Sequence, residues 1–302
     1  MKQILRCLLT CWLTLITLPA LATIEEFEVA VIAHSNADDA SLRDMLTATD
    51  AANLAFVVAG GIKTIKEPCS DELYEQRKAL FDASKNGLIV SAAGSDWIAC
   101  RYSNGRTAAI DRLNRVRELF FSGDFSLGAS KLPLMRQSAN PKFRSYSENV
   151  RWEVGNVLFA TINLPAENNH YLAAAGRNGE FEDRLIANQD WLHRLFSLIA
   201  RSQASALVLF CDGAPLFTPG GEDKRDGFAE VRKQLHHLAE KFPGKILLVH
   251  NAPQTVRNPI PTITWRNNLG DLALTSGWIR LVITPHQTMP FRVIEGNNAA
   301  PQ

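Results

Sequence analysis

The sequence lacks any imbalance of charge. It has 32 Lys and Arg residues against 31 Asp and Glu residues, a formal net charge of +1. No stripe of basic residues suggests a nucleic-acid surface, so we expect no nucleic-acid partner. Internal repeats and low-complexity segments are also lacking. With 46% hydrophobic and 21% charged residues, the composition is that of an ordinary globular protein.

Long apolar runs are lacking beyond the N-terminus. There, Lys2 and Arg6 flank the start of an apolar stretch over residues 7–18, and Ala20-Leu21-Ala22 has the small-x-small pattern of a cleavage site. The stretch is short for a membrane span, so we predict a signal peptide over residues 1–22, with an uncleaved anchor as the alternative. We therefore expect one domain over residues 23–302, exported to the periplasm or outside the cell without a stable membrane anchor.

Cysteine is scarce, with five residues, of which Cys7 and Cys11 lie in the signal segment. An exported chain meets an oxidising compartment. Cys69 and Cys100 both lie in predicted loops just after strand-like runs, which favours a disulfide between them, although the sequence alone does not fix the pairing. Cys211 ends the strongly apolar run 206–210 and is predicted to be a buried free thiol.

Apolar runs alternate with helical patterns through the first half of the chain. We predict strands over residues 27–33, 54–59 and 87–92, a helix over 38–51 and a helix capped by Ser70. A third helix has one apolar face, formed by Ile110, Leu113, Val116, Leu119 and Phe120. This alternation predicts parallel βαβ units, in which loops at the carboxyl ends of the strands place ligands.

In the second half of the chain, the turn signal Gly155-Asn156 between two β-rich runs predicts a hairpin. Apolar stripes predict helices over residues 185–199 and 228–242, and apolar runs predict strands over residues 206–210 and 245–249. Three further strands are predicted over residues 262–265, 277–284 and 291–294. No linker divides the chain. We therefore predict a single α/β domain with two sheets and outer helices.

Eight blocks of sequence, in order from about residue 27 to residue 294, resemble blocks of secreted calcineurin-like phosphoesterases. Residues 61–63 with 68–72 resemble the "GD-I-K…PCSDE" block, and residues 94–101 resemble "GDNEWTDC" shortened by one residue. The other blocks are residues 112–121, 148–152, 157–169, 188–192, 247–250 and 277–281. The resemblance implies a four-layer α/β/β/α sandwich of the metallophosphoesterase type, and it strengthens the pairing of Cys69 with Cys100.

The same resemblance implies metal ligands at strand ends, and most of them are replaced. Such enzymes clamp a nucleophilic water between two cations. Ala33 stands where the first strand would supply an Asp, and His34 is one position out of register with that ligand. Gly61 stands where the resemblance implies the Asp that bridges the two metals, and Ser95 stands where it implies the Asp of an Asp-Asn pair. The second His position of the last block holds Gln254. These replacements predict an inactive phosphoesterase-like protein, or pseudoenzyme.

Four residues near predicted strand ends remain weak candidates for catalysis or metal binding: His34, Asp96, Asp212 and His250. Together they could hold one zinc ion, which keeps open the alternative of an active hydrolase with an altered metal site. Under the favoured hypothesis, Asp96 is an exposed turn residue, no cofactor is expected, and the vestigial cleft binds an unidentified ligand or protein. Asn163, Asn168 and Asn169 either shape the mouth of that cleft or satisfy loop backbone.

Overall fold

The computed structural model describes residues 26–33, 39–172, 178–202, 204–218, 225–252 and 261–296. The predicted signal peptide, His34 and Gln254 lie outside these ranges.

A five-stranded sheet combines the two ends of the described chain. Its strands are β1 (Phe27–Ile32), β2 (Val57–Gly60), β3 (Leu88–Ser91), β11 (Trp278–Ile283) and β12 (Phe291–Glu295). Their order is β12-β11-β1-β2-β3. The first three strands are parallel, whereas β11 pairs antiparallel with both β1 and β12. The parallel part confirms the βαβ units predicted for the first half.

A seven-stranded sheet holds the middle of the chain in the order β4-β5-β6-β7-β8-β10-β9. Its strands are β4 (Met135–Arg136), β5 (Val150–Val154), β6 (Val157–Thr161), β7 (Ala206–Phe210), β8 (Lys245–Asn251), β9 (Thr264–Arg266) and β10 (Leu269–Leu274). Strands β5 and β6 form the predicted hairpin, with Gly155 at φ 58° in its turn. Strands β6, β7, β8 and β10 are parallel.

Five helices lie on the outer faces of the two sheets: α1 (Asp39–Ala51), α2 (Asp71–Asp82), α3 (Ala109–Phe120), α5 (Gly179–Ser202) and α6 (Ala229–Lys241), all within the described ranges. The one-turn segment α4 (Ala166–Asn169) follows β6 and has left-handed backbone at Glu167 and Asn168. The predicted N-cap is confirmed, because the Ser70 hydroxyl accepts a hydrogen bond from the Leu73 N–H at 3.2 Å. This contact satisfies one of the free N–H groups at the start of α2.

Three apolar layers hold the sandwich together. Helices α1 to α3 pack on one face of the five-stranded sheet, and α5 with α6 pack on one face of the seven-stranded sheet. Between the sheets, Phe56 packs edge-on against Trp152 and Phe159, with ring centroids 5.4 and 4.9 Å apart. Strands buried on both faces are continuously apolar, which is why the sequence showed them clearly. The predicted α/β/β/α order is confirmed.

Several element predictions need correction. Strand β10 was missed between the predicted final strands, since Gly270 and Asp271 interrupt its apolar pattern. Strand β2 begins at Val57 rather than at residue 54. Ile110 is 47% exposed and does not belong to the buried face of α3. Strand β8 runs two residues beyond its prediction, so His250 and Asn251 end the strand instead of following it.

The predicted cysteine chemistry is confirmed. Cys69 and Cys100 form a disulfide, with their Cα atoms 5.7 Å apart. Cys211 is a buried free thiol, and burial raises its pKa. None of the helices in the described ranges has the length and apolarity needed to cross a membrane.

Candidate functional site

The carboxyl ends of β2, β3, β7 and β8 meet at one edge of the sandwich. We call this region the strand-end site; its residues are Gly61, Ile62, Lys63, Gly94, Ser95, Asp96, Asp212, His250 and Asn251. Hydrogen bonds join the loops across it, including one from the Ser95 hydroxyl to the Lys63 carbonyl oxygen at 2.8 Å. The disulfide links the same two loops, because Cys69 lies in the connection from β2 to α2 and Cys100 in that from β3 to α3.

Asp96 is fully buried, and its predicted exposure in a turn is wrong. One carboxylate oxygen accepts the backbone N–H groups of Ile62 at 2.8 Å and Lys63 at 3.1 Å. The other accepts the N–H of Ala93 at 2.8 Å. The side chain therefore ties the loop after β2 to the 3₁₀ turn Gly94–Asp96 that follows β3.

Burial raises the pKa of Asp96 to about 7, because desolvation penalises the charged carboxylate. The three backbone N–H groups lower this pKa, and the negative charge of Asp212 raises it further. Nearby, Lys63 is buried, and its ammonium donates to the carbonyl oxygens of Thr64 and Glu67 at 2.8 and 3.0 Å. Desolvation lowers the pKa of Lys63.

Asp212 repeats the arrangement on the second sheet. One of its oxygens accepts the N–H groups of Gly94 at 2.7 Å and Ala166 at 2.8 Å. The other accepts the Asn251 side-chain amide at 2.8 Å. Asp212 is only 4% exposed. It therefore joins β7, β8, the turn after β3 and the segment after β6.

His250 is directed elsewhere. Its Nε2 lies 3.2 Å from a carboxylate oxygen of Asp271 on β10, and its Nδ1 lies 2.8 Å from the carbonyl oxygen of Asn251. Successive residues of a strand point to opposite faces, and the neighbouring Asn251 side chain is the one that reaches Asp212. Both ring nitrogens of His250 therefore lie within hydrogen-bond distance of protein oxygen atoms.

The residues of the site do not fit a two-metal centre. A carboxylate offers about four lone-pair positions, and three are used in both Asp96 and Asp212. Gly61 has φ +104°, and a Cβ there would lie 3.1 Å from the Ala93 Cβ, so a bridging Asp would need the loop to be rebuilt. Within the described ranges, no group of three or more His, Cys, Asp or Glu side chains could hold a metal ion.

A left-handed turn borders the site and was missed by the sequence reasoning. Glu167, Asn168, Asn169 and His170 all have φ between 52° and 63°, a conformation that Asn tolerates better than most residues. The Asn168 and Asn169 amides donate to the carbonyl oxygens of Arg225 and Gly227 at 3.0 and 2.9 Å. Asn168 and Asn169 therefore satisfy polar groups of the loop backbone, which is one of the two roles predicted for them.

Asn163 belongs to a buried polar network behind this turn. Its amide donates to Glu148 at 2.8 Å, and Glu148 also pairs with Arg117 at 2.6 Å. The fully buried Arg184 donates to the Asn169 backbone oxygen at 3.0 Å and pairs with Glu180 at 2.6 Å. In the sequence, this network is visible only as isolated polar residues among apolar ones, and that pattern does not identify which residues bond to each other.

No protein-family model matches the chain, and no curated protein matches it. Among solved structures, it is similar to GAP50, the anchor in the inner membrane complex of Plasmodium, with a TM-score of 0.48 and 10% identity over 90% of this chain and 89% of that chain. It is also similar to TT1561 of Thermus thermophilus, with a TM-score of 0.47 and 8% identity over 90% of this chain and 99% of that chain. Both similarities are weak and concern the path of the chain alone.

Proposed function

We propose that this chain is an exported protein of the calcineurin-like phosphoesterase type that acts by binding rather than by hydrolysis. The sequence blocks and the four-layer sandwich support the family assignment. The observation that carries the proposal is the state of Asp96 and Asp212, each of which accepts three N–H groups from the protein.

Hydrogen bonds of this kind compete with metal binding. Buried N–H groups that lose their acceptor cost about 1–3 kcal/mol each. A cation that displaced the donors around Asp96 would leave a backbone N–H group of Ile62, Lys63 or Ala93 without an acceptor. The carboxylates thus act as structural links between loops, and we expect a ligand or protein at this edge of the sandwich to bind without a metal ion.

A two-metal phosphatase needs cations to polarise the phosphate and to generate its nucleophile. The positions that would supply the missing ligands hold Ala33, Gly61 and Ser95. Ser95 is committed to the Lys63 carbonyl. We therefore expect no cofactor and no turnover.

The test uses the chain from residue 23 onward, purified and incubated with Mn²⁺ or Zn²⁺. Bound metal is measured by mass spectrometry, and hydrolysis of p-nitrophenyl phosphate is followed with the same cations present. We expect less than stoichiometric metal and the same background rate in the wild type, His250→Ala and Asp212→Asn.

The active-hydrolase alternative predicts a different result. One or two metal ions per chain, with turnover lost in both variants while their circular dichroism is unchanged, would overturn the binding proposal. Export is tested separately, by expressing the full chain and sequencing the N-terminus of the secreted product. A start at residue 23 supports export, and retention of residues 1–22 in the cytoplasm contradicts it.

A further inference from the structure

A cavity of about 400 Å³ lies at the edge of the seven-stranded sheet, between β4, β5 and α5. None of the residues of the strand-end site line it. Four arginines do: Arg136, Arg151, Arg194 and Arg201. We call this cavity the basic groove. Among the described residues that line it, none is Asp or Glu.

Arg136 is the unusual member of the set, because it is buried. Its guanidinium donates to the carbonyl oxygens of Gly123 at 2.6 Å and Ser147 at 2.8 Å. Within the described part of the chain, no carboxylate forms an ion pair with it. Burial lowers its pKa to about 10. The charges of Asp124 and Glu148 act against this shift, so Arg136 forms part of the groove wall while its guanidinium is held by the protein itself.

Of the other three arginines, two have a carboxylate nearby and one contacts a backbone carbonyl oxygen. Arg194 pairs with Asp190 at 2.6 Å, and Arg151 lies 3.4 Å from Glu153. Arg201 donates to the Ser197 carbonyl oxygen at 3.1 Å. A concave surface lined by one sign of charge concentrates ions of the opposite sign. Guanidinium groups also bind carboxylate, sulfonate or phosphate oxygens in pairs.

The floor of the groove is apolar. Leu198 of α5 and Met135 of β4 expose apolar surface to it, whereas Trp191 and Leu195 of α5 are buried beneath. The volume of the groove falls within the usual range for small-molecule sites. Charge at the rim and aliphatic surface below are the two halves of a site for an amphipathic anion.

We propose that the basic groove binds a small organic anion, with the acidic group among the guanidinium groups of Arg151, Arg194 and Arg201 and the apolar body on Met135 and Leu198. This site is separate from the strand-end site, and it does not depend on whether the latter binds metal.

The test uses three probes that separate charge from apolar surface: naphthalene-2-sulfonate, inorganic sulfate and 2-naphthalenemethanol. Binding is measured by titration calorimetry on the chain from residue 23 onward. We expect the sulfonate to bind at one site with a Kd on the order of 0.1–1 mM and at least tenfold more tightly than either sulfate or the alcohol. None of the three probes can be hydrolysed.

Two variants locate the site. Arg151→Gln and Arg201→Gln should each weaken sulfonate binding about three- to tenfold, since each removes a charge-assisted contact. Arg43→Gln is the matched control, because Arg43 is an exposed arginine on α1, outside the groove. It should bind as the wild type does.

Three outcomes would overturn the proposal. The first is sulfonate binding no tighter than that of sulfate or the alcohol, and the second is unchanged binding in both groove variants. The third comes from vesicles of phosphatidylglycerol with phosphatidylcholine. If the chain binds these vesicles but not the soluble sulfonate, the arginines face a lipid surface and the small-anion site is wrong.

Discussion

The strand-end site and the basic groove place their charged residues in different surroundings. At the strand ends, two buried carboxyl groups each accept three N–H groups, so the protein itself satisfies them. In the groove, four arginines line a cavity whose described lining residues include no carboxylate. A fully satisfied polar group stabilises the fold and has little left for a ligand, whereas an uncompensated one favours binding. The buried carboxyl groups at the strand ends therefore link loops, whereas the groove is the candidate location for a bound anion.

The largest expected effect tests the structural role of Asp96. Asp96→Ala leaves three buried N–H groups without an acceptor, so we expect a loss of about 3–5 kcal/mol in the free energy of unfolding. Urea denaturation measures it. Asp82→Ala, which removes an exposed aspartate that pairs with Lys78, should cost no more than about 0.5 kcal/mol. Equal losses in the two variants would show that Asp96 is not a structural link.

Gly61 tests how tightly the loop after β2 packs against the turn after β3. Gly61→Ala combines a left-handed backbone with a Cβ that would lie 3.1 Å from the Ala93 Cβ, so we expect destabilisation of about 2–3 kcal/mol. Gly105→Ala is the control for backbone strain alone. Its φ is +80° with nothing within 4 Å of the added Cβ, and it should cost about 1 kcal/mol. Equal melting temperatures for the two variants would exclude crowding at Gly61.

The raised pKa of Asp96 predicts a pH dependence of stability. The folded state holds the proton up to about pH 7, whereas the unfolded carboxyl releases it near its ordinary value of 3.8. The Asp96 contribution to stability is therefore greatest below about pH 4 and is lost as the pH rises towards 7, by at most about 1.4 kcal/mol per pH unit.

This dependence is isolated by the difference between wild type and Asp96→Asn in urea denaturation at three pH values, about 4.5, 6 and 7.5, which span the titration window. Other groups cancel in that difference, including Glu180, whose lowered pKa of about 2 acts in the opposite direction. The advantage of the wild type should shrink as the pH rises. A constant difference would mean that the three N–H groups keep Asp96 ionised throughout this range.

The smallest effect belongs to the basic groove. Arg151→Gln and Arg201→Gln should change the free energy of unfolding by less than about 0.5 kcal/mol, because the charges they remove are exposed or weakly paired. The same urea measurements show this. A loss comparable with that of Asp96→Ala would mean that these arginines hold the fold together, and the contrast between the two regions would disappear.

Much of the fold could be predicted from local sequence. Strands β1, β3, β7 and β8 are short apolar runs, and Ser70 caps α2 as its side chain suggests. Prediction failed where the residue type at a position does not match the burial of that position in the fold. Strand β10 contains Gly270 and Asp271, and Asp96 ends the turn Gly94–Asp96, a kind of segment that would ordinarily be exposed.

The sequence by itself determined the alternation of strands and helices and the absence of carboxylate side chains at Ala33, Gly61 and Ser95, because these depend on residue type and position along the chain. Only the tertiary structure decided what the surviving residues do. Gly94 and Asp212 are 118 positions apart, and His250 and Asp271 are 21 apart. Hydrogen bonds at such separations depend on how strands stack into sheets, which no local pattern specifies. The basic groove has the same origin, since β4, β5 and α5 bring its arginines together from residues 136 to 201.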